Sequence, residues 1–75
     1  MTEVNSWVMW EARAAAGQLE ALLAWAERHA STGAQIYRSA DRVVIIEEET
    51  AAVLPEPPSA LLARAPFAWP FERVR

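Results

Sequence analysis

Apolar residues are dense over residues 3–11, which read EVNSWVMWE and include tryptophan, valine and methionine. Valine and tryptophan favour strands, and the segment contains neither glycine nor proline. Successive strand residues point to opposite faces, so one face would hold Val4, Ser6, Val8 and Trp10 and the other Asn5, Trp7 and Met9. Large apolar residues on both faces predict a strand that is buried on both sides.

The next apolar residues follow a helical period. The spacing i, i+3, i+4, i+7 produces one apolar stripe, which consists of Leu19, Leu22, Leu23, Ala26 and Ala30. This stripe predicts a helix over residues 17–31. We expect Gly17 to serve as its N-cap and Gly33 to end it in a left-handed conformation.

A hairpin is predicted after the helix. Residues 34–39 and 42–49 have strand composition, and Ala40 and Asp41 between them form a connection of hairpin length. Residues 43–46 are a continuous β-branched run, which is typical of a strand covered on both faces.

Prolines limit which secondary structure the C-terminal third can adopt. Pro55, Pro57 and Pro58 exclude a helix or a central strand around themselves. Pro58 would then open a short second helix over 59–64, and Pro66 would end it. Because Pro70 hinders an early start, the fourth strand is predicted at 71–74, at a sheet edge. The whole chain, 1–75, is therefore expected to be one α+β domain of order β-α-β-β-α-β.

Composition adds an argument for self-association. The chain has 75 residues, of which 53% are hydrophobic and four are tryptophan. A chain this short buries only about 60% of its unfolded surface. It has no cysteine and one histidine, which excludes disulfides and disfavours a metal site. We expect a homodimer that hides apolar surface, with no metal and no cofactor.

Charge argues against nucleic acid as a partner, and the lengths of the apolar runs argue against a membrane. The net charge is −3, and the seven arginines are scattered among ten acids, so no basic patch for nucleic acid is expected. No apolar run approaches the length of about 18 residues that a membrane span needs. The N-terminal residues lack the basic and apolar regions of a signal peptide. These features predict a cytoplasmic protein that binds neither nucleic acid nor membrane.

The order of elements is that of the ferredoxin-like, or split βαβ, plan. More narrowly, the chain resembles a shortened member of the dimeric α/β-barrel superfamily, which includes the antibiotic-biosynthesis-monooxygenase type. The likeness rests on residues 8–11 ending the first strand, Gly17 opening the helix, and Tyr37-Arg38-Ser39 leading through Asp41 into strand 43–48. It covers residues 3–49. The short second helix departs from the family pattern.

The resemblance implies a homodimer in which two four-stranded sheets face each other and helices lie outside. The superfamily includes cofactor-free oxygenases, haem-degrading enzymes, isomerases and proteins without known activity, so the fold does not specify a reaction. Haem-degrading members use an asparagine on strand one, a tryptophan, and a histidine on the second helix. Asn5 matches the first, but His29 lies at the end of the first helix, so the resemblance does not imply haem.

Four residues are candidates for binding a small apolar or aromatic ligand: Asn5, Trp7, Tyr37 and Trp69. The tryptophans would stack on a ring, or else belong to the core and the dimer interface. Tyr37, if it faces inward, needs a hydrogen-bond partner, and Asn5 either lines a cavity or lies at an edge. His29 is expected to cap the helix end. Glu47, Glu48 and Glu49 could suggest metal binding, but neighbouring strand residues point to opposite faces, so a solvated strand end is expected instead.

Three functions are compatible with these features. The first is a homodimeric accessory module that is non-catalytic or weakly binds a ligand. The second is a cofactor-independent monooxygenase or cyclase with a pocket between the sheets, because such chemistry requires no metal or nucleophile motif. The third is a protein–protein adaptor that presents the proline-rich segment 55–58.

Overall fold

A computed structural model describes residues 6–51 and 54–75 of the chain. These residues form an α+β unit with one α-helix and a four-stranded antiparallel sheet. In chain order the elements are β1 (Ser6–Arg13), α1 (Leu19–His29), β2 (Gln35–Arg38), β3 (Arg42–Glu48) and β4 (Phe67–Glu72). Two 3₁₀ turns, Glu49–Ala51 and Ser59–Leu61, lie between β3 and β4.

The sheet has the strand order β2-β3-β1-β4, with every neighbouring pair antiparallel. β3 therefore lies between β1 and β2, although α1 connects these two strands in the sequence. This arrangement is compatible with the ferredoxin-like plan expected from the order of elements. β1 and β3 are the central strands, and β2 and β4 are the edges.

The core lies between α1 and one face of the sheet. Its buried apolar residues are Trp10 and Ala12 of β1, Leu22, Trp25 and Ala26 of α1, and Val43 and Ile45 of β3. The rings of Trp10 and Trp25 stack with centroids 5.6 Å apart. Burial of each large apolar side chain contributes about 1.5–3 kcal/mol, so these contacts hold α1 on the sheet.

The helix ends differ from the prediction. α1 begins after Gln18, which makes no side-chain capping bond, and Gly17 lies in the preceding turn with φ = +75°. At the other end, Ala30 is extended and its N–H donates to the carbonyl of Ala26. Gly33 does not have the expected left-handed conformation; the glycine that needs positive φ is Gly17, because the chain must reverse sharply there to bring α1 over the sheet.

The hairpin is confirmed. Ala40 and Asp41 form its two-residue connection, and the N–H of Ser39 donates to the carbonyl of Arg42 at 3.0 Å. The β3 residues alternate between buried and partly exposed as far as Glu47. The single chain therefore buries one face of β3 and leaves the other partly open, so the second cover expected from the sequence is not supplied by the described residues.

The predicted second helix over 59–64 is wrong. Only the 3₁₀ turn Ser59–Leu61 forms, after which Leu62 is extended and bridges to Ala14. The N–H of Ala63 donates to the carbonyl of Arg13 at 2.9 Å. Because this N–H is bonded to β1, it does not form a helical hydrogen bond. The segment still covers the core, because Pro57 is buried and Leu54, Leu61 and Leu62 pack against the core residues.

The fourth strand is also displaced from its predicted position at 71–74. β4 spans Phe67–Glu72 and contains Pro70, which lies opposite Val8 of β1. An edge strand tolerates proline when the missing N–H would have pointed away from the sheet. The predicted start at residue 71 was wrong because Pro70 does not prevent the strand from beginning before it.

A candidate ligand groove on the open sheet face

The face of the sheet opposite α1 is apolar and largely uncovered. Strand alternation and the observed register place eight large apolar side chains there: Trp7, Met9, Tyr37, Val44, Ile46, Phe67, Trp69 and Phe71. We call this surface the open face. Tyr37 is 55% exposed and Phe71 50%, whereas Ile45, one residue from Ile46 on the opposite face, is fully buried.

The open face is built from rows of side chains that cross the strands. One row runs through Gln35, Ile46, Met9 and Trp69, because these residues pair in register. A second row runs through Tyr37, Val44, Glu11 and Phe67 by the same pairing. A third row contains Glu48, Trp7 and Phe71. Aromatic side chains are concentrated on β4, where the rings of Phe67 and Trp69 stack with centroids 5.7 Å apart.

Charged groups at one end of the open face neutralise one another. Arg42 Nη1 donates to Glu11 Oε2 at 2.9 Å, and Arg13 Nε donates to Asp41 Oδ2 at 3.2 Å. The hydrogen bond to Glu11, with the negative charges of Glu11 and Asp41, raises the pKa of the Arg42 guanidinium above its usual value despite partial desolvation. This end of the face therefore carries paired charges and no excess of one sign.

The opposite end of the open face holds a groove of about 380 Å³. It is open to solvent and is lined by Trp7, Met9, Gln35, Ile46, Phe71, Glu72 and Arg73. Small-molecule sites have volumes of about 300–1,000 Å³ and combine apolar walls with a few polar groups. The groove has that size and that composition.

Trp7 also lines a smaller recess of about 180 Å³, together with Ser31, Gly33 and Glu48. The indole Nε1 of Trp7 is buried, and no acceptor among the described residues lies within hydrogen-bond distance. A buried N–H without a partner costs about 1–3 kcal/mol. The side chain is therefore held in place by packing against its hydrophobic surroundings and not by a polar contact.

The structure places three of the four predicted site residues on the same face of the sheet but not beside one another, because Tyr37 and Trp69 lie on opposite edge strands. Trp7, Tyr37 and Trp69 lie on the open face, whereas Asn5 lies outside the described residues. Of the three, Trp7 lines the groove. The Tyr37 side chain is exposed and does not point inward, and its hydroxyl donates to Gln35 Oε1 at 3.0 Å on the surface.

Sequence reasoning missed most of the groove lining, including Met9, Ile46, Phe71 and Arg73. Met9 shares the alternation of Trp7, so the period of β1 was sufficient to find it. Phe71 lies in the groove because it pairs with Trp7 in the register between β1 and β4, which the sequence does not reveal. Arg73 follows the last paired residue, Glu72.

The other polar candidates have structural contacts. His29 is the last residue of α1, and its ring lies against Trp25 with centroids 4.8 Å apart. Glu47 is not solvated as expected: it is only 2% exposed, and it accepts the N–H of Ser31 at 2.6 Å. The sequence does not show this contact, because it forms only when the segment after α1 packs over β3 and brings the Ser31 N–H to the Glu47 carboxylate.

The described part of the chain contains neither a candidate metal-binding cluster nor a candidate membrane-spanning helix. Residues 6–51 and 54–75 contain no cluster of three or more histidine, aspartate or glutamate side chains with the geometry to hold a metal ion. Within the same ranges, no helix has both the length and the apolar composition needed to cross a bilayer.

Comparison with known proteins identified no relatives. No protein-family model, curated protein or solved structure matches the chain.

Proposed function

We propose that the chain is a homodimeric accessory module that pairs the open faces of two sheets and holds a small apolar or aromatic molecule between them. The observation that carries this proposal is the open face itself. In the dimeric α/β-barrel superfamily, which the chain resembles, two such sheets face each other.

The size of the open face supports an interaction surface. Four strands about 4.8 Å apart, with lengths of four to eight residues, produce a face of roughly 20 Å by 20 Å. Monomeric proteins seldom expose apolar patches larger than about 300–600 Å², and larger ones mark interaction sites. Side chains such as Trp69 and Phe67 project from the sheet and add to this area. The face is therefore about as large as the largest apolar patches on monomeric proteins, which are often interaction sites.

Charge favours a second copy of the chain as that cover. A face with excess charge of one sign would repel its own copy and would fit an oppositely charged partner. The pairs Arg42–Glu11 and Arg13–Asp41 cancel their charges within the face. Two sheets also pack face to face at about 10 Å with interdigitating side chains, which suits an apolar surface of this kind.

The sheet edges favour face-to-face pairing over edge-to-edge pairing. β4 contains Pro70, which cannot donate a hydrogen bond to an added strand. β2 has only four residues, and Arg38 within it forms an ion pair with Glu20 at 2.8 Å. Short edges and edge prolines are features that block strand addition.

A cofactor-independent enzyme of the monooxygenase or cyclase type is the second candidate, and the groove volume of about 380 Å³ favours it. Its lining contains no serine, cysteine or histidine, so a reaction there would depend on confinement and on the reactivity of the substrate. The adaptor function fits less well, because Pro57 of segment 55–58 is buried against the fold.

Sedimentation equilibrium tests the dimer. We expect the wild-type chain to be a dimer at about 10 µM and Trp69→Glu to weaken dimerisation at least about a hundredfold, because a desolvated carboxylate would lie in an apolar interface. Ala21→Glu on the exposed surface of α1 is the matched control and should remain dimeric. Circular dichroism checks that both variants fold. A folded wild-type monomer at about 100 µM would refute the proposal.

A further inference from the structure

The charges at one end of the groove offset each other. Glu72 and Arg73 both line the groove next to Phe71, and they carry one formal negative and one formal positive charge. Arg73 Nε already donates to the carbonyl of Arg75 at 2.7 Å. An ion that enters an apolar groove loses its hydration and needs a partner of opposite charge. Because the described lining has no formal net charge, it favours a neutral ligand over an ion of either sign.

Among the described residues, the rest of the lining is apolar apart from the amide of Gln35. Ile46 of β3, Met9 and Trp7 of β1 and Phe71 of β4 form the apolar part, and Gln35 lies at the β2 end. The strand order places β2 and β4 three strand spacings apart, which is about 14 Å. A flat molecule of one or two rings fits within that span, and aromatic walls favour flat ligands.

The amide of Gln35 is oriented by its neighbour on the open face of β2. Tyr37 lies two residues further along the strand, and its hydroxyl donates to Gln35 Oε1 at 3.0 Å. A glutamine amide has an acceptor oxygen and a nitrogen with two N–H donors. The oxygen already accepts the Tyr37 proton, whereas Nε2 makes no side-chain hydrogen bond within the described ranges. The amide nitrogen is therefore the group that can donate to a ligand.

We infer that the groove binds a neutral aryl carbonyl compound of one or two rings, with Gln35 Nε2 donating a hydrogen bond to the carbonyl oxygen. The rings lie against Met9 and Ile46, and Tyr37 is a positioning residue because its hydroxyl holds the amide. Small-molecule sites combine apolar walls with a few polar groups that fix the orientation of the ligand. This inference rests on the proposed function, because Gln35 is exposed in the single chain and the second copy would cover it.

Two neutral probes of nearly equal size separate the hydrogen bond from the apolar contacts. Methyl 2-naphthyl ketone has a carbonyl oxygen, and in 2-ethylnaphthalene two hydrogens replace that oxygen. Equilibrium dialysis of the wild-type chain, Gln35→Leu and Gln18→Leu against each probe gives six dissociation constants. Gln18 precedes α1, does not line the groove and makes no side-chain capping bond, so its substitution is the matched control. Circular dichroism checks that the variants fold.

We expect Gln35→Leu to weaken binding of the ketone about fivefold, which is the effect of one net hydrogen bond, and to change binding of ethylnaphthalene less than about twofold. Gln18→Leu should change neither by more than about twofold. The inference is refuted if the wild type binds neither probe, if Gln35→Leu leaves the ketone unaffected, or if it weakens both probes equally.

A double substitution tests the positioning role of Tyr37. Tyr37→Phe removes the hydroxyl that holds the amide, so it should weaken ketone binding about two- to threefold in the wild-type background. In the Gln35→Leu background the same substitution should have no effect, because there is no amide to orient. A loss of equal size in both backgrounds would show that Tyr37 acts through packing and not through Gln35.

Sedimentation of the same samples distinguishes this inference from the dimer proposal. If the wild type is dimeric and Gln35→Leu does not discriminate between the probes, the assignment of Gln35 is wrong and the dimer stands. If the chain is monomeric and the discrimination is present, the dimer proposal fails while the assignment of the carbonyl partner survives.

Discussion

The two faces of the central strands carry nearly the same side chains but have different surroundings. Val43 and Ile45 face α1 and are fully buried, whereas Val44 and Ile46, the same residue types one position later, remain partly exposed. Chemistry alone therefore does not decide which face becomes the core. The face that α1 covers stabilises the fold, and the face that it leaves open is available for association.

The sharpest way to test this comparison is to make the same substitution on both faces. Ile45→Ala should lower the free energy of unfolding by about 2–5 kcal/mol, because it leaves a cavity in the core. Ile46→Ala should lower it by about 1 kcal/mol or less at low protein concentration, where the monomer is measured. Urea unfolding monitored by circular dichroism gives both values.

Conservative variants protect this test against loss of folding, since a domain this small has little stability to lose. Ile45→Val should cost about 0.5–1.5 kcal/mol, and Ile46→Val should have almost no effect on the monomer. At high protein concentration the difference in destabilisation between the substitutions at positions 45 and 46 should become smaller, because the proposed dimer would bury Ile46 in its interface. Equal effects at both positions in the monomer would contradict the division into a covered and an open face.

An intermediate effect is expected from the acidic residues at the end of β3. Glu47→Ala removes the acceptor of the Ser31 N–H and should destabilise the chain by about 1–3 kcal/mol. Glu48→Ala, on the open face, should stay within about 0.5 kcal/mol. Thermal unfolding of the two variants at low concentration provides the comparison. A larger loss for Glu48→Ala would show that the faces are assigned the wrong way round.

The smallest effect concerns the turn that brings α1 over its face. Gly17 has φ = +75°, so Gly17→Ala should cost about 1–2 kcal/mol, although a Cβ there meets no atom within 4 Å. Gly33 has an ordinary φ and equally open surroundings, so Gly33→Ala should be neutral or stabilise by up to about 1 kcal/mol. Denaturant midpoints measure both. A neutral Gly17→Ala would mean that the turn does not require glycine.

Local patterns predicted much of the fold. The leucine spacing located α1, the β-branched run located β3, and the alternation of β1 correctly separated Trp7 from Trp10. Each of these signals depends on the period of a single element. The errors lie in the C-terminal third. Pro70 is part of an edge strand instead of preceding it, and the segment after Leu61 hydrogen-bonds to β1 instead of continuing a helix.

The candidate site was predicted less completely than the fold. Trp7 lines the groove, and Tyr37 and Trp69 share its face, but the lining residues Met9, Ile46 and Phe71 were not among the predicted residues. The position of Phe71 in the groove depends on the pairing of β4 with β1, which the sequence does not show. A groove that crosses several strands is defined by register, which local periodicity does not contain.

The sequence by itself determined that β1 and β3 have two apolar faces and that only one helix of substantial length is available to cover them. Only the tertiary structure decided which face is covered. The reversal at Gly17 places α1 on the side of Ile45, and the segment containing Leu54, Leu61 and Leu62 packs on the same core. Which face is covered depends on the side of the sheet to which each connecting segment directs the chain, and this is defined only in the three-dimensional fold.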